Sequence, residues 1–332
     1  MTEAKNSLIS DAIVSSEYYG QRVDVVLAQL FPEYSRSQLT QWLKNGAITL
    51  NNRSYKPKDK LQGGEVVHMH VNLITPFKPN LPEAIPIEIV FEDNSILIIN
   101  KPYGLVVHPG AGNPDHTLVN ALIHHKPELN HLPRAGIVHR LDKDTTGLLI
   151  VAKKLTSHTS LIRQMQAREI QRHYITLVHG QIISGGTIDT FYGRHPRNRL
   201  KMAVCTQGRL AITHYSVRKH YTGLTLLDVK LMTGRTHQIR VHLSHINHPI
   251  VGDQLYCGRN RIPGGIPDEQ RTALQQFKRQ ALHAGFISFL HPETQQPLTF
   301  NAPLPDDFQT LLTILDKSID SSDCELAGTS SY

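Results

Sequence analysis

Four prolines within eleven residues divide this sequence into two unequal parts. They are Pro76, Pro79, Pro82 and Pro86. Each proline fixes its own φ angle and removes a backbone donor, so a run of this density indicates a semi-rigid linker and excludes a continuous helix. The 332 residues also exceed one average domain. We therefore predict a small N-terminal domain over residues 18–75, a linker over 76–86 and a larger domain over 87–316.

The net charge of +7 is spread unevenly along the chain. From Pro305 onward six acidic residues accompany one base, and residues 317–332 are predicted to form a flexible acidic tail. The first 304 residues then carry about +12, and residues 18–80 alone hold eight basic residues against four acidic ones. Concentrated positive charge is typical of a protein that binds a polyanion, although a solvated basic surface would have the same composition.

Two amphipathic helices are predicted in the N-terminal domain, after a mainly polar stretch of 17 residues that we expect to be loose. One face of the first helix, which Pro32 ends, carries apolar residues at helical spacing: Val23, Val26, Leu27, Leu30 and Phe31. Ser35 and Gln38 form a capping box that begins the second helix. Short strands follow at 48–50 and 66–71. With basic side chains on its polar side, this pattern resembles the S4 RNA-binding domain.

The larger domain mixes strands and helices without regular alternation. Strands are predicted from apolar runs or apolar–polar alternation at 87–91, 96–99, 148–152, 174–178 and 224–232. Helices are predicted from apolar spacing at 118–125, 157–168, 236–246 and 268–280. This order favours an α+β fold, with a mixed and largely antiparallel sheet flanked by helices, over a doubly wound fold.

The segment 139–153 is the most informative one for function. It reads His-Arg-Leu-Asp-Lys-Asp-Thr-Thr-Gly-Leu-Leu-Ile-Val-Ala-Lys, so a polar loop that contains Asp142 runs directly into an apolar strand. A loop side chain beside a buried strand has a rigid support, which is where functional groups are expected. We therefore single out Asp142 as the candidate functional carboxylate.

Several segments together resemble the RluA family of pseudouridine synthases. The loop 139–142 resembles the family's catalytic motif, and 172–180 and 233–243 resemble the segments that carry its active-site tyrosine and arginine. The family's other segments are matched in the same order at 96–104, 248–253, 279–284 and 302–305. Because several motifs recur in order over residues 18–315, the resemblance is far more specific than a single short match.

The resemblance implies that Asp142, Tyr174 and Arg240 are catalytic. Pseudouridine formation breaks the bond between N1 and C1′ of uridine, turns the base and rejoins it through C5. An ionised Asp142 would act near the sugar as nucleophile or base. Arg240 would keep it charged, using the two bonds that a planar guanidinium offers, and Tyr174 would stack on the uracil. The base must leave its stack, and Arg140 would fill the vacated space.

The isomerisation oxidises nothing and removes no group from the RNA, so we expect neither a cofactor nor a metal. The implied partner is 23S rRNA or a precursor of the large ribosomal subunit, and the expected RNA contacts are Arg36, Lys44, Arg53, Arg140 and Arg235. The S4-like module and the loop 258–267 are most similar to the family's synthase D type, which implies the helix 69 stem-loop as target. The synthase C type is the nearest alternative, and we expect a monomer.

A cytoplasmic location is predicted from three features. No stretch approaches eighteen consecutive apolar residues, and the first residues lack the basic-then-apolar pattern of a secretory signal. The three cysteines are widely spaced and form no Cys-x-x-Cys pair. The first feature indicates that no membrane span is present, and the cysteine spacing argues against a disulfide framework and a cysteine zinc site.

Other classes of function remain open at this point. The residues from Asp142 to Thr146 also match the Asp-x-Asp-x-Thr loop of haloacid-dehalogenase-type phosphotransferases, in which a full apolar strand ends at the first aspartate. Here the strong strand follows that aspartate, and no convincing downstream pair of magnesium carboxylates occurs. Histidines at 237, 242, 245 and 248 suggest zinc but lack the usual spacing. A non-catalytic RNA-binding protein on the same fold is the third alternative.

Overall fold

The computed structural model describes residues 7–32, 34, 36–72, 81–110, 112–198, 200–258 and 262–325. The chain divides into two compact units, Met1–Pro79 and Asn80–Tyr332, which we call the N-terminal unit and the C-terminal unit. No helix in the described ranges is both long enough and apolar enough to cross a lipid bilayer.

Two helices and a three-stranded sheet share one hydrophobic core in the N-terminal unit. The elements are β1 (Ser7–Ile13), α1 (Val23–Leu30), α2 (Arg36–Lys44), β2 (Ile48–Leu50) and β3 (Val66–Asn72), and the strands lie in the order β1-β3-β2. Leu27, Leu39 and Trp42 are buried between the helices and the sheet, as the apolar spacing predicts. Ser35 and the side chain of Gln38, the predicted capping box, lie outside the described residues.

The strand β1 contradicts the expectation that the first 17 residues are loose. It pairs with β3 in antiparallel register, from Ser7 opposite Asn72 to Ile13 opposite Val66. Backbone hydrogen bonds to an open strand edge do not depend on apolar side chains, so a segment that also contains Ser7, Ser10 and Asp11 can fill this position. Val14, directly after the strand, is buried in the core of the unit.

One mixed sheet forms the centre of the C-terminal unit. In the described residues its strands are β4 (Glu88–Glu92), β5 (Ile96–Lys101), β6 (Thr146–Ala152), β7 (Gln171–His179), β8 (Gly186–Arg194), β9 (Met202–Val204), β10 (Arg209–Tyr221), β11 (Leu224–Leu231), β12 (Leu282–Leu290) and β13 (Pro297–Asn301). Their order is β4-β5-β6-β12-β7-β11-β10-β8-β9, and β13 pairs with β12. The β6–β12 pair is parallel and the other pairs are antiparallel.

Five α-helices accompany this sheet in the described residues. They are α3 (Leu118–His125), α4 (Leu155–Ala167), α5 (Gln238–His245), α6 (Asp268–Gln276) and α7 (Asp306–Glu325). The helices α3 to α6 lie where apolar spacing predicts helices, although α6 ends earlier. The predicted α+β class, with a largely antiparallel sheet, is confirmed.

Both faces of the centre of the sheet are buried. Along β5, Leu97 joins one apolar cluster and Ile98 joins another on the opposite face. All seven residues of β6 are buried, which explains why its sequence is a near-continuous apolar run. Near the start of β6, Gly147 has a φ of 112°, and a Cβ there would collide with the backbone of Ala284 on β12. The loop before β6 is therefore attached to a tightly packed part of the sheet.

Five strands of the sheet are absent from the sequence-based prediction, namely β8, β9, β10, β12 and β13. The strand β13 alternates between exposed and partly buried positions, and β8 has only two buried residues, Ile188 and Tyr192, so neither strand contains a clear apolar run. A register shift between Val217 and Lys219 breaks the two-residue period of β10. The five predicted strands are present as β4, β5, β6, β7 and β11.

The predicted linker and tail differ from the structure at their boundaries. Within 81–86, the backbone N–H of Glu83 donates to the carbonyl of Asn120, and Asn120 Nδ2 donates to the carbonyl of Leu81, so this stretch is fastened to α3. Residues 76–80 lie outside the described residues.

The helix α7 continues to Glu325, because residues 306–325 contain neither proline nor glycine and Phe308 anchors its first turns in the core. Residues 326–332 lie outside the described residues.

Candidate active site

A cleft of about 240 Å³ lies in the C-terminal unit. Three segments line it: residues 138–142 before β6, the first half of β7, and residues 234–240 at the start of α5. The strands β6 and β7 lie on either side of β12, so the sheet brings together segments that are distant in sequence. The cleft contains Asp142, Tyr174 and Arg240, the three predicted catalytic residues.

A buried lysine anchors the turn that presents Asp142. The backbone N–H of Thr145 donates to the carbonyl of Asp142 at 3.1 Å. Lys101, at the end of β5, is fully buried, and its Nζ donates to the carbonyl of Lys143 and to two other backbone carbonyls. Burial lowers the pKa of Lys101 to about 7. Three carbonyl acceptors nevertheless favour the ammonium form, because the neutral amine has only two N–H groups to donate.

His139 fastens the same loop to β6. Its Nε2 accepts the backbone N–H of Ile150 at 3.1 Å. Burial lowers the pKa of His139 to about 3, with a further contribution from the charge of Arg172. The ring is therefore neutral above that pH and has a nitrogen lone pair available as the acceptor.

Arg240 connects Asp142 to a second carboxylate. Its Nη1 donates to Oδ2 of Asp142 at 3.1 Å, whereas Nε and Nη2 donate to the two oxygens of Asp253 at 2.6 and 2.9 Å. The side chain of Asp253 is fully buried and also accepts the backbone N–H groups of Leu255 and Tyr256. The guanidinium therefore makes its two-bond contact with Asp253 and a single hydrogen bond with Asp142. This corrects the expectation that Arg240 holds Asp142 through two bonds.

The pair with Asp253 fixes the charge of Arg240. Burial alone would lower the pKa of Arg240, but the hydrogen bonds and charge of Asp253, with the charge of Asp142, raise it above the ordinary value. Burial would raise the pKa of Asp253, but Arg240 and two backbone N–H groups lower it. A permanent cation thus lies beside the carboxylate of Asp142.

Tyr174 forms part of the wall of the cleft. It lies on β7 and is 5% exposed, and burial raises its pKa, so the phenol is protonated near neutral pH. Its hydroxyl makes no hydrogen bond with any of the residues that the structure describes. Tyr174 therefore contributes to the lining of the cleft, and no described residue accepts a hydrogen bond from its hydroxyl.

Known proteins resemble this chain over most of its length. The family model described as RNA pseudouridylate synthase matches residues 95–245, and the S4 domain model matches residues 21–67. A relative from Xanthomonas campestris pv. campestris, ribosomal large subunit pseudouridine synthase D, is 49% identical over 314 residues, with 95% of each chain covered. The protein of that name from Escherichia coli strain K12 is 46% identical, with 92% of this chain and 93% of its own covered.

The chain belongs to the RNA pseudouridylate synthase family. Among solved structures, human RNA pseudouridylate synthase domain containing 1 is similar, with a TM-score of 0.53 and 26% identity, and the match covers 75% of this chain and 98% of that one. The family resemblance seen in the sequence motifs is confirmed, as is the S4-type module. The enzyme is therefore an isomerase, and a haloacid-dehalogenase-type phosphotransferase is no longer supported.

Two aromatic residues that the sequence analysis did not assign to the catalytic site lie beside Arg240 and Asp142 in the synthase. The Cζ atom of Arg240 lies 5.1 Å from the centroid of the Tyr256 ring. The Tyr256 hydroxyl is 2.9 Å from Nδ1 of His237. His237 Nε2 is 3.9 Å from Oδ1 of Asp142. His237 and Asp253 both lie inside motifs quoted above, but only the fold shows that they reach Asp142 and Arg240.

Arg140 and Arg235, two of the predicted RNA contacts, both line the cleft. Arg140 is exposed and forms no ion pair among the described residues. Arg235 is half-buried, and its guanidinium makes only long contacts, 3.4 and 3.5 Å, to the carbonyl of Leu210. Both side chains therefore lie at the cleft, and their contact with RNA stays a prediction.

The basic residues predicted to bind RNA in the N-terminal unit differ in their surroundings. Arg36 donates to the buried carboxylate of Asp24 at 2.8 Å, and Arg22 donates to the same carboxylate. Lys44 and Arg53 are exposed and have no side-chain hydrogen bond or ion pair with any described residue. Part of the role of Arg36 is thus structural, whereas Lys44 and Arg53 are available to a partner.

Three of the four histidines that suggested zinc, His237, His242 and His248, have hydrogen-bond partners within the protein. His242 is hydrogen-bonded to Thr190 and Thr213, and Nδ1 of His248 lies 2.9 Å from the carbonyl of His179. Across the described part of the chain, no group of three or more His, Cys, Asp or Glu side chains is arranged to hold a metal ion.

Proposed function

We propose that this enzyme converts specific uridines of 23S rRNA to pseudouridine, with Asp142 as the reacting carboxylate. The observation that carries the assignment of the site is the hydrogen bond of Arg240 to Asp142 inside a cleft that Tyr174 also lines. A non-catalytic RNA-binding protein would have no need to keep these three groups together, so we propose an active enzyme.

The proposed chemistry uses one carboxylate, one cation and one aromatic ring. Asp142, as nucleophile or base near the sugar, promotes cleavage of the bond between N1 and C1′. Arg240 stabilises the charged carboxylate, and Tyr174 holds the detached uracil by stacking while it turns. The C5–C1′ bond then forms, C5 loses its proton and N1 regains one. The step balances without a redox partner or metal, and we propose that none is used.

The proposed substrate follows from the relatives named ribosomal large subunit pseudouridine synthase D. Identity of 46–49% over more than nine-tenths of the chain supports large-subunit rRNA as the substrate. Within that rRNA we propose the helix 69 stem-loop, which the resemblance of the sequence motifs to the synthase D type implies. The synthase C type of site is the alternative. We further propose that the enzyme acts as a monomer in the cytoplasm, on rRNA or a precursor of the large subunit.

Mapping pseudouridines in 23S rRNA tests this proposal. In a strain that lacks the protein, carbodiimide-primer extension should lose stops in helix 69 and nowhere else in 23S rRNA. The purified enzyme should restore those stops on rRNA from the deletion strain, also in EDTA on a metal-independent folded fragment. Loss of stops at other positions would indicate a different site specificity, and an unchanged map would contradict the proposed function.

Lys44 and Arg53 should contribute RNA affinity without contributing chemistry. We expect the full-length double variant Lys44→Gln/Arg53→Gln to bind rRNA more weakly and to lower the slope of log affinity against log salt by about 0.7 to 0.9 per lost phosphate contact. Filter binding over a salt series measures the slope. Its melting temperature should match that of the wild type, because both side chains are exposed and unpaired in the described structure.

A matched variant separates specific contacts from net charge. Arg163→Gln/Lys278→Gln also removes two exposed charges, from positions in the C-terminal unit that do not line the cleft. It should leave the salt slope close to that of the wild type. Equal slopes for the two double variants would contradict an RNA-anchoring role for Lys44 and Arg53.

A further inference from the structure

Arg172 is buried in the wall of the cleft, and no residue that the structure describes pairs with its charge. It is 8% exposed, and its Nε is buried without a hydrogen-bond partner. Its guanidinium forms no ion pair or hydrogen bond with any residue that the structure describes. A buried charge that lacks a partner is costly, so its presence requires either a compensating contact or a ligand.

The other two arginines that are more than nine-tenths buried in the described structure show the usual solution. Arg240 is 7% exposed and pairs with Asp253 and Asp142. Arg279 is 6% exposed and donates through two nitrogens to Asp307 at 2.6 and 2.7 Å. Arg172 is similarly buried, but no carboxylate in the described part of the chain pairs with it.

The position of Arg172 relates it directly to the substrate site. It lies two residues before Tyr174 on β7, and residues two apart on a strand project from the same face. Both residues line the cleft that contains Asp142. A ligand that stacks on Tyr174 would therefore have its neighbouring groups close to Arg172.

A second cavity, of about 390 Å³, continues from the cleft at Arg172. Arg172, Gly234 and Arg235 line both cavities, and Arg168 lines the second. A Cβ at Gly234 would lie 2.8 Å from Nη1 of Arg172, so the absence of a side chain there leaves room for the guanidinium. No acidic side chain among the described residues lines the second cavity.

We propose that Arg172, with Arg235 and Arg168, forms a subsite for a backbone phosphate of the nucleotide next to the flipped uridine. An RNA phosphate supplies the anion that the protein does not, and a guanidinium can meet it through two parallel hydrogen bonds. Holding the backbone beside the extruded nucleotide would fix the position of its base over Tyr174. This subsite rests on the proposed function, because it requires an RNA substrate in the cleft.

The subsite is tested first with the full-length variant Arg172→Met, measured by tritium release from rRNA that carries [5-³H]uridine. We expect KM to rise by roughly 10- to 100-fold, the range of a hydrogen bond to a charged group, with a smaller change in kcat. The slope of log affinity against log salt should fall by about 0.7 to 0.9, one phosphate contact. The melting temperature of the free protein should equal or exceed that of the wild type, because the variant removes an unpaired buried charge.

Arg163→Met is the matched control, since it removes an exposed arginine of α4 that lines neither cavity. It should keep the KM and the salt slope of the wild type. If Arg172→Met instead lowers the melting temperature and leaves KM and the salt slope unchanged, Arg172 has a structural role and the subsite is wrong. Tritium release by the wild type in the same assay tests the proposed function separately, because an enzyme that releases none would contradict that function whatever the role of Arg172.

A neutral linkage in the RNA distinguishes a phosphate contact from a contact to uracil. Synthetic stem-loops that the wild type modifies are prepared with one methylphosphonate, placed on either side of the target uridine. At one of the two positions, the neutral linkage should weaken the wild type about as much as Arg172→Met does and should not weaken the variant further. Additive losses at both positions would show that Arg172 does not bind a flanking phosphate and would overturn the proposal.

Discussion

Asp142→Asn should reduce pseudouridine formation by about 10⁴-fold or more, the order of loss seen when a group that acts in the chemical step is removed. The amide has nearly the shape of the carboxylate but cannot act as a nucleophile or base. We expect the fold and the RNA affinity to be nearly unchanged, because Arg240 keeps its two-bond pair with Asp253 and is not left uncompensated. Tritium release under single-turnover conditions, filter binding and thermal melting measure the three quantities.

Asp144→Asn is the matched control for this prediction. Asp144 lies in the same loop, two residues further on, but it lines a different cavity from Asp142. Its amide variant should turn over at a rate near that of the wild type. Clear residual turnover by purified Asp142→Asn, or equal losses in the two variants, would contradict the assignment of Asp142.

Asp253→Asn should impair both stability and catalysis, although we place Asp253 in no contact with the substrate. Its loss leaves the charge of Arg240 with a single partner in a buried site, and breaking a buried pair in this way costs about 3 to 5 kcal/mol of stability. The guanidinium is then free to turn toward Asp142, and a displacement of this kind can reduce the rate about 100-fold. We therefore expect a lower melting temperature together with a lower kcat at saturating RNA.

Two further variants, Arg240→Lys and Asp307→Asn, test why Asp253→Asn loses kcat. A lysine at position 240 can make one contact, with Asp142 or with Asp253, so Arg240→Lys should turn over more slowly than the wild type. Asp307→Asn breaks a comparable two-bond pair, with Arg279, which does not involve Asp142. It should lower the melting temperature without a comparable loss of kcat. A loss of kcat as large as that of Asp253→Asn would mean that instability alone explains the Asp253 variant.

Local sequence patterns were sufficient for the elements that carry strong apolar signals. Both N-terminal helices and the buried strand β6 are predicted and present, because burial demands apolar residues at a fixed spacing. The strand β1 was missed because it pairs with β3, which is distant in sequence, and β8 was missed because only two of its residues are buried. Edge and half-exposed strands place little constraint on side chains, so their sequences carry little information.

In the candidate site, too, local motifs identified some features and only the fold showed the others. Asp142, Tyr174 and Arg240 were singled out through motifs, and the structure brings them into one cleft, while their catalytic roles stay predictions. Asp142 and Arg240 are 98 residues apart, so no local pattern reports their contact. The pair of Arg240 with Asp253 and the missing partner of Arg172 are properties of three-dimensional packing. Only the fold distinguishes Arg240, which is paired with a carboxylate, from Arg172, which has no carboxylate partner among the described residues.

The parallel pairing of β6 with β12 has a consequence for the nascent chain. Thr146 and Gly147 pair with His283 and Ala284, across a separation of 137 residues. During translation, the edge of β6 that pairs with β12 stays unpaired until this distant segment has left the ribosome. Contacts of such separation also slow folding. The loop of Asp142 therefore gains its final support late in synthesis, and chains that terminate before residue 282 should accumulate as inactive, aggregation-prone species.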